Sequence, residues 1–172
     1  MKNYLFIFCF IFCLKIQGQT NVSSQDKIVS LDTTKIAILS SDIILKYIFN
    51  KNCIESNLSN EEVINVDLLL RKCIDNYNIE AEKEFRQITV NNPSFNPNRE
   101  NFIIDIEKYK RQYIVVKNSK GEKEVWINCL CSERKNWRRE LIVVRDGGNC
   151  YFNLKINLTK KKYYDLGVNG GA

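Results

Sequence analysis

The chain has 172 residues, with 26 Lys and Arg against 20 Asp and Glu, seven Cys, two Pro and no His. That length suits one domain able to bury a real core, and 44% apolar with 27% charged residues excludes intrinsic disorder. The lack of histidine excludes a Ser-His-Asp triad, a Cys-His pair, histidine metal ligation and an imidazole pH switch.

Residues 1–18 read as a signal peptide: Lys2 is the positive start, Leu5 to Leu14 is an apolar run of ten residues, and Gly18 is a small residue at the cut. A transmembrane helix needs about 20 apolar residues, so no membrane span is expected here. Cleavage after Gly18 lowers the net charge from +6 to +4. The expected localisation is therefore periplasmic or extracellular. Residues 19–58 read as an N-terminal extension, with a strand over Lys35 to Leu39 and a short helix over Asp42 to Phe49. Three Asn-x-Ser/Thr matches, at Asn21, Asn57 and Asn157, occur at the rate an Asn-rich composition produces by chance and carry no argument.

The clearest element is a helix over 60–89. Ser59-Asn-Glu-Glu62 has the form of a capping box. Val63, Val66, Leu70, Cys73, Tyr77, Ala81, Phe85 and Ile88 then recur at steps of three and four, so one apolar stripe faces one way for about 45 Å. Asn76 and Asn78 are weak helix formers and mark a kink or a break. The prolines Pro93 and Pro97 end this half. Charge divides nearby: residues 19–100 carry 9 basic and 12 acidic groups, and residues 101–172 carry 15 and 8.

The second half reads as a β-meander of about five strands. They are expected over 103–117, 122–131, 140–146, 150–158 and 163–168, with Asn118 to Gly121 and Gly147 to Asn149 as tight turns. Along 150–158, Phe152, Leu154 and Ile156 alternate with Tyr151, Asn153, Lys155 and Asn157, which places the two sets on opposite faces. The fold class is thus α+β, a long N-terminal amphipathic helix packed on a C-terminal antiparallel sheet in one domain over 59–172. This order of elements resembles the cystatin and nuclear-transport-factor-2 style of architecture. The cystatin QxVxG inhibitory motif is absent.

Export leaves Cys53, Cys73, Cys129, Cys131 and Cys150 as disulfide candidates. Cys129 and Cys131 share a face of one strand, so either could reach Cys150, and Cys53 could reach Cys73. No catalytic residue, metal site or cofactor is indicated. The pairs Asp105/Glu107, Glu122/Glu124 and Glu61/Glu62 read as solvated charge.

The basic loops are more informative. Arg134, Lys135, Arg138 and Arg139 surround Trp137, and Lys160, Lys161 and Lys162 form a second cluster. If the five strands alternate direction, both loops fall at one end of the sheet and build one basic, Trp-containing rim. That points to a non-catalytic binding domain contacting an acidic protein, glycan or lipid head group; export argues against nucleic acid. A second surface is the wall Tyr151, Asn153, Lys155 and Asn157, joined by Trp126 and Asn128 if the register allows. The alternatives are a small hydrolase using carboxylate or lysine chemistry in the sheet concavity, or a structural envelope protein.

Overall fold

The computed structural model describes residues 31–40, 48–49, 52–132 and 134–170. The signal-peptide reading and most of the expected helix over Asp42 to Phe49 lie outside these. The fold is α+β, with one long helix and a mostly antiparallel six-stranded sheet. The elements are β1 (Ile36–Ile38), β2 (Ile54–Glu55), α1 (Asn60–Asn91), β3 (Lys110–Lys117), β4 (Lys123–Leu130), β5 (Tyr151–Asn157) and β6 (Lys162–Val168). The sheet order is β1-β3-β4-β5-β6, and β2 also pairs with β3. The helix is therefore central in the chain rather than N-terminal. Among the described residues two strands precede it, and both lie along β3: β1 runs parallel to it, with Ile36 opposite Arg111, and β2 runs antiparallel, with Ile54 opposite Lys117.

The capping box forms at Ser59. Its Oγ accepts the Glu62 amide at 3.2 Å, and Glu62 Oε2 accepts the Ser59 amide at 2.8 Å. Val66, Leu70, Cys73 and Ala81 of the apolar stripe are buried, joined by Ile74 and Asp67. Val66, Leu70, Cys73 and Ile74 pack on the sheet face built by Tyr113, Val115, Val125, Ile127, Phe152, Leu154 and Ile156. The helix runs unbroken through Asn76 and Asn78 because both side chains have long-range partners. Asn78 receives the Ile104 amide and donates to the Ile104 carbonyl, each at 2.8 Å. Asn76 donates to Tyr163 Oη at 2.5 Å. Residues that weaken a helix locally thus brace this one against the sheet.

Two expected strands differ. The run 103–117 is strand only from Lys110, because Asp105 accepts the Glu107 amide at 3.2 Å and caps a 3₁₀ turn over Ile106–Lys108. Buried Ile104 and Ile106 fill the core from this turn instead of from a ladder.

Residues 140–146 form no strand. Two side-chain amides meet this segment's backbone in place of a neighbouring strand. Gln112 Nε2 donates to the Glu140 carbonyl at 2.7 Å, and Gln112 Oε1 accepts the Ile142 amide at 3.1 Å. Asn128 Nδ2 donates to the Ile142 carbonyl at 2.7 Å. The segment lies over the face of the sheet away from the helix, where Leu141, Ile142 and Val144 pack beside Ile114, Leu130, Trp137 and Tyr151. With one crossing fewer than the meander reading requires, every later turn changes ends.

Candidate functional site

That change of parity separates the two basic loops. β4 ends at Leu130 and β5 starts at Tyr151, directly opposite it, so the Arg134 to Arg139 loop sits at that end of the sheet. At the other end Lys117 lies opposite Lys123, Glu124 opposite Asn157, and Asn157 opposite Lys162. Lys160, Lys161 and Lys162 therefore share an end with the β3–β4 hairpin. The single rim of seven cations expected from sequence does not form.

The β4–β5 loop spends much of its charge internally. Trp137 is only 8% exposed. Its carbonyl accepts Gln112 Nε2 at 2.5 Å, and its ring lies under the Arg138 guanidinium at 4.5 Å and the Lys110 ammonium at 5.5 Å. Arg138 donates to the carbonyls of Ile36, at 3.2 Å, and Thr34, which fastens the loop to β1. Arg134 donates to Tyr151 Oη at 2.9 Å and lies over that ring. All four cations of the loop, Arg134, Lys135, Arg138 and Arg139, lie at the surface, with Arg134 and Arg138 engaged in these bonds. The loop's two ends are joined by a disulfide between Cys131 and Cys150, whose Cα atoms are 5.0 Å apart. Cys53, Cys73 and Cys129 are free thiols. Burial pushes Cys73 up to about 11 and raises Cys129 further, which removes both as thiolates.

At the hairpin end the cations face outward. Lys117, Lys120, Lys161 and Lys162 are exposed. Two further lysines are held in place: Lys160 pairs with Glu122 at 2.8 Å and Lys123 with Glu62 at 2.6 Å. Asn118 Nδ2 and Asn157 Nδ2 each donate to both Glu122 and Glu124, at 2.9–3.1 Å. Both amides are oriented by backbone donors to their own oxygens: Asn118 Oδ1 accepts from Lys120 and Glu122, and Asn157 Oδ1 from Lys160. The result is a polar latch that locks the β3–β4 and β5–β6 turns together.

Lys160, then Asn118 and Asn157, hold the Glu122 carboxyl down at about 2, against an ordinary 4.5. A carboxyl depressed on folding stabilises the protein above its unfolded value and loses that contribution as pH falls through the folded one. Thermal unfolding should therefore show a loss of stability from about pH 4.5 towards 2 that Glu122→Gln flattens. Superimposable pH profiles for the two proteins would contradict the latch.

The register also settles the second surface. Trp126 stands opposite Lys155, and Asn128 opposite Asn153, so all four share the face away from the helix. The segment around Trp137 to Val144 covers the Asn128 half. The other half opens as a cavity of about 480 Å³ lined by Phe49, Cys53, Glu122, Glu124, Lys155 and Tyr164, among others. Lys155 pairs with Asp165 at 3.1 Å and lies 5.8 Å and 5.9 Å from the Phe49 and Tyr164 ring centres. Burial, then the charge of Glu124, raises the Tyr164 phenol far above its ordinary range, so it stays protonated. Among the described residues no three His, Cys, Asp or Glu groups converge as a metal-binding set, and no helix is long and apolar enough to cross a membrane.

Sequence reasoning passed over Lys117 and Lys120, and it read Glu122 and Glu124 as solvated charge where they form the latch. The i, i+2 spacing of the two carboxylates was the available signal, but of their partners only Asn118 is local, whereas Asn157 and Lys160 come from the next hairpin. Comparison with protein-family models, with curated proteins and with solved structures finds no match to this chain.

Proposed function

We propose that this chain is an exported, non-catalytic binding domain that engages an acidic partner through the lysines of the hairpin end, Lys117, Lys120, Lys161 and Lys162. The observation that carries the reading is the contrast between the two basic clusters. Arg134, Trp137 and Arg138 of the β4–β5 loop are engaged in holding that loop to the sheet, whereas these four lysines point to solvent from two turns braced by one latch. Preorganised surface charge of one sign accelerates and orients association with the opposite sign. The Cys131–Cys150 disulfide supports the exported reading, since such bonds persist in oxidising compartments. A helix laid on an antiparallel sheet, as in cystatin-style scaffolds, hosts binding modules readily, and the scaffold itself does not select among functions.

The hydrolase reading has the cavity beside Lys155 in its favour. It needs a carboxyl free to exchange protons, and of the three carboxylates lining that cavity Glu122 and Glu124 are tied into amide donors, with Glu122 held fully ionised, while Asp165 is paired with Lys155 at 3.1 Å. Elution from an immobilised polyanion, heparin, tests the binding reading. Joint Lys161→Glu and Lys162→Glu substitution should abolish retention at moderate salt, while Lys135→Glu with Arg139→Glu should shift it slightly. Equal loss from both pairs, or retention unaffected by the lysine reversal, would refute it.

A further inference from the structure

Beside the exposed lysines lies an apolar ridge that the binding reading leaves unused. Leu68 is 59% exposed and Ile64, one helical turn before it, is 51% exposed. Lys72 continues the same face one turn later and is exposed. Between this ridge and the β5–β6 turn runs a groove of about 330 Å³ lined by Glu62, Leu68, Leu69, Lys123, Leu158 and Lys161. Glu62, the one carboxylate in the groove, is neutralised by Lys123 at 2.6 Å. Glu61 and Asp75 are the acidic groups on the same helix face, one towards each end of the ridge. Lys161 reaches the groove from a turn whose neighbours Lys160 and Lys162 are also basic.

We infer that this corner of the molecule, Ile64 and Leu68 with Lys72, Lys161 and Lys162, docks on an anionic lipid bilayer. The inference rests on the acidic-partner reading and names the partner. Two features select a bilayer. A soluble polyanion would satisfy the lysines and leave Ile64 and Leu68 in water, whereas a surface with phosphate head groups above acyl chains meets both. The ridge of a helix is also convex, a shape that a flat deformable layer accepts without a preformed complementary groove. Each lysine near such a surface contributes enough that its removal should weaken binding about fivefold. The attraction must fall with added salt, because it acts within a Debye length.

The test is co-sedimentation of the full chain with phosphatidylcholine vesicles, with and without phosphatidylglycerol. Binding should require phosphatidylglycerol and decline with salt. Leu68→Gln should weaken it severalfold, and Lys161→Glu with Lys162→Glu should weaken it by more than tenfold. Leu68 is an exposed side chain, so Leu68→Gln should leave the helical circular dichroism unchanged, which separates docking from folding. Lys135→Glu with Arg139→Glu, at the opposite end, should bind as the unaltered protein does. Equal binding to both vesicle types, no binding, or insensitivity to Leu68→Gln would overturn the inference. Retention on heparin without vesicle binding would overturn it alone and leave the acidic-partner reading standing, whereas failure in both assays would remove both.

Discussion

Replacing Asp67 by Ala is expected to lower the free energy of unfolding by about 3–5 kcal/mol, the cost of leaving a buried charge without its partner. Arg111 on β3 is 1% exposed, inside the interface between α1 and the sheet. Its Nη1 donates to Asp67 Oδ1 at 2.5 Å and its Nη2 to the Ile106 carbonyl at 3.4 Å. Asp67 also receives Arg71 Nε at 2.6 Å, and Arg71 turns on to Glu107 beside the 3₁₀ turn. One carboxylate on the helix thus ties together α1, β3 and the segment entering β3. Without it the Arg111 guanidinium keeps only a long bond to a carbonyl, and its Nε already has no partner among the described residues. Asp67→Leu with Arg111→Met should recover most of the loss, because removing both charges replaces an ion pair by packing. Urea denaturation followed by circular dichroism measures all three proteins. An Asp67→Ala unfolding free energy within about 0.5 kcal/mol of the original would show that Arg111 finds water instead.

Breaking the Cys131–Cys150 disulfide is expected to cost about 3 kcal/mol, from the entropy returned to an unfolded chain whose closed loop spans 19 positions. The effect should be local in its structural consequences. The loop covers the far face of the sheet through Trp137, Leu141 and Ile142, and its backbone is held by Gln112 and Asn128. The core under α1 lies on the other face. Cys131→Ser with Cys150→Ser should therefore melt lower, as should the reduced protein, with heparin retention unchanged because the lysine cluster sits at the opposite end. An unchanged melting temperature would contradict the disulfide's role, and lost retention would mean that the two ends are not independent.

What was legible in the sequence was what local physics determines. The capping box at Ser59, the apolar stripe from Val66 to Ala81 and the alternation from Tyr151 to Asn157 each appear where their spacing puts them. The turn at Gly121, with φ of +75°, likewise closes the expected hairpin. What was hidden depended on distant partners. Nothing near Leu141 or Ile142 announces that Gln112 and Asn128 will satisfy their backbone, so a β-branched run reads as strand. That single error reverses the ends of the later turns and moves three lysines across the molecule. Trp137 reads as an exposed anchor among arginines because its neighbours are charged. Arg138 instead bonds back to the carbonyls of Thr34 and Ile36, and the ring closes a second small core. The parallel pairing of β1 with β3 is equally invisible locally, since its partners lie 75 positions apart, at Ile36 and Arg111.

The most direct test of a binding surface at the hairpin end is a two-dimensional ¹⁵N–¹H NMR titration of the protein with a short heparin oligosaccharide. The expected shifts fall on Lys117 to Lys120 and on Lys160 to Lys162, with Lys135 to Glu140 unmoved. Shifts concentrated in the β4–β5 loop, or spread evenly over both ends, would contradict the assignment of the contact to this end of the sheet.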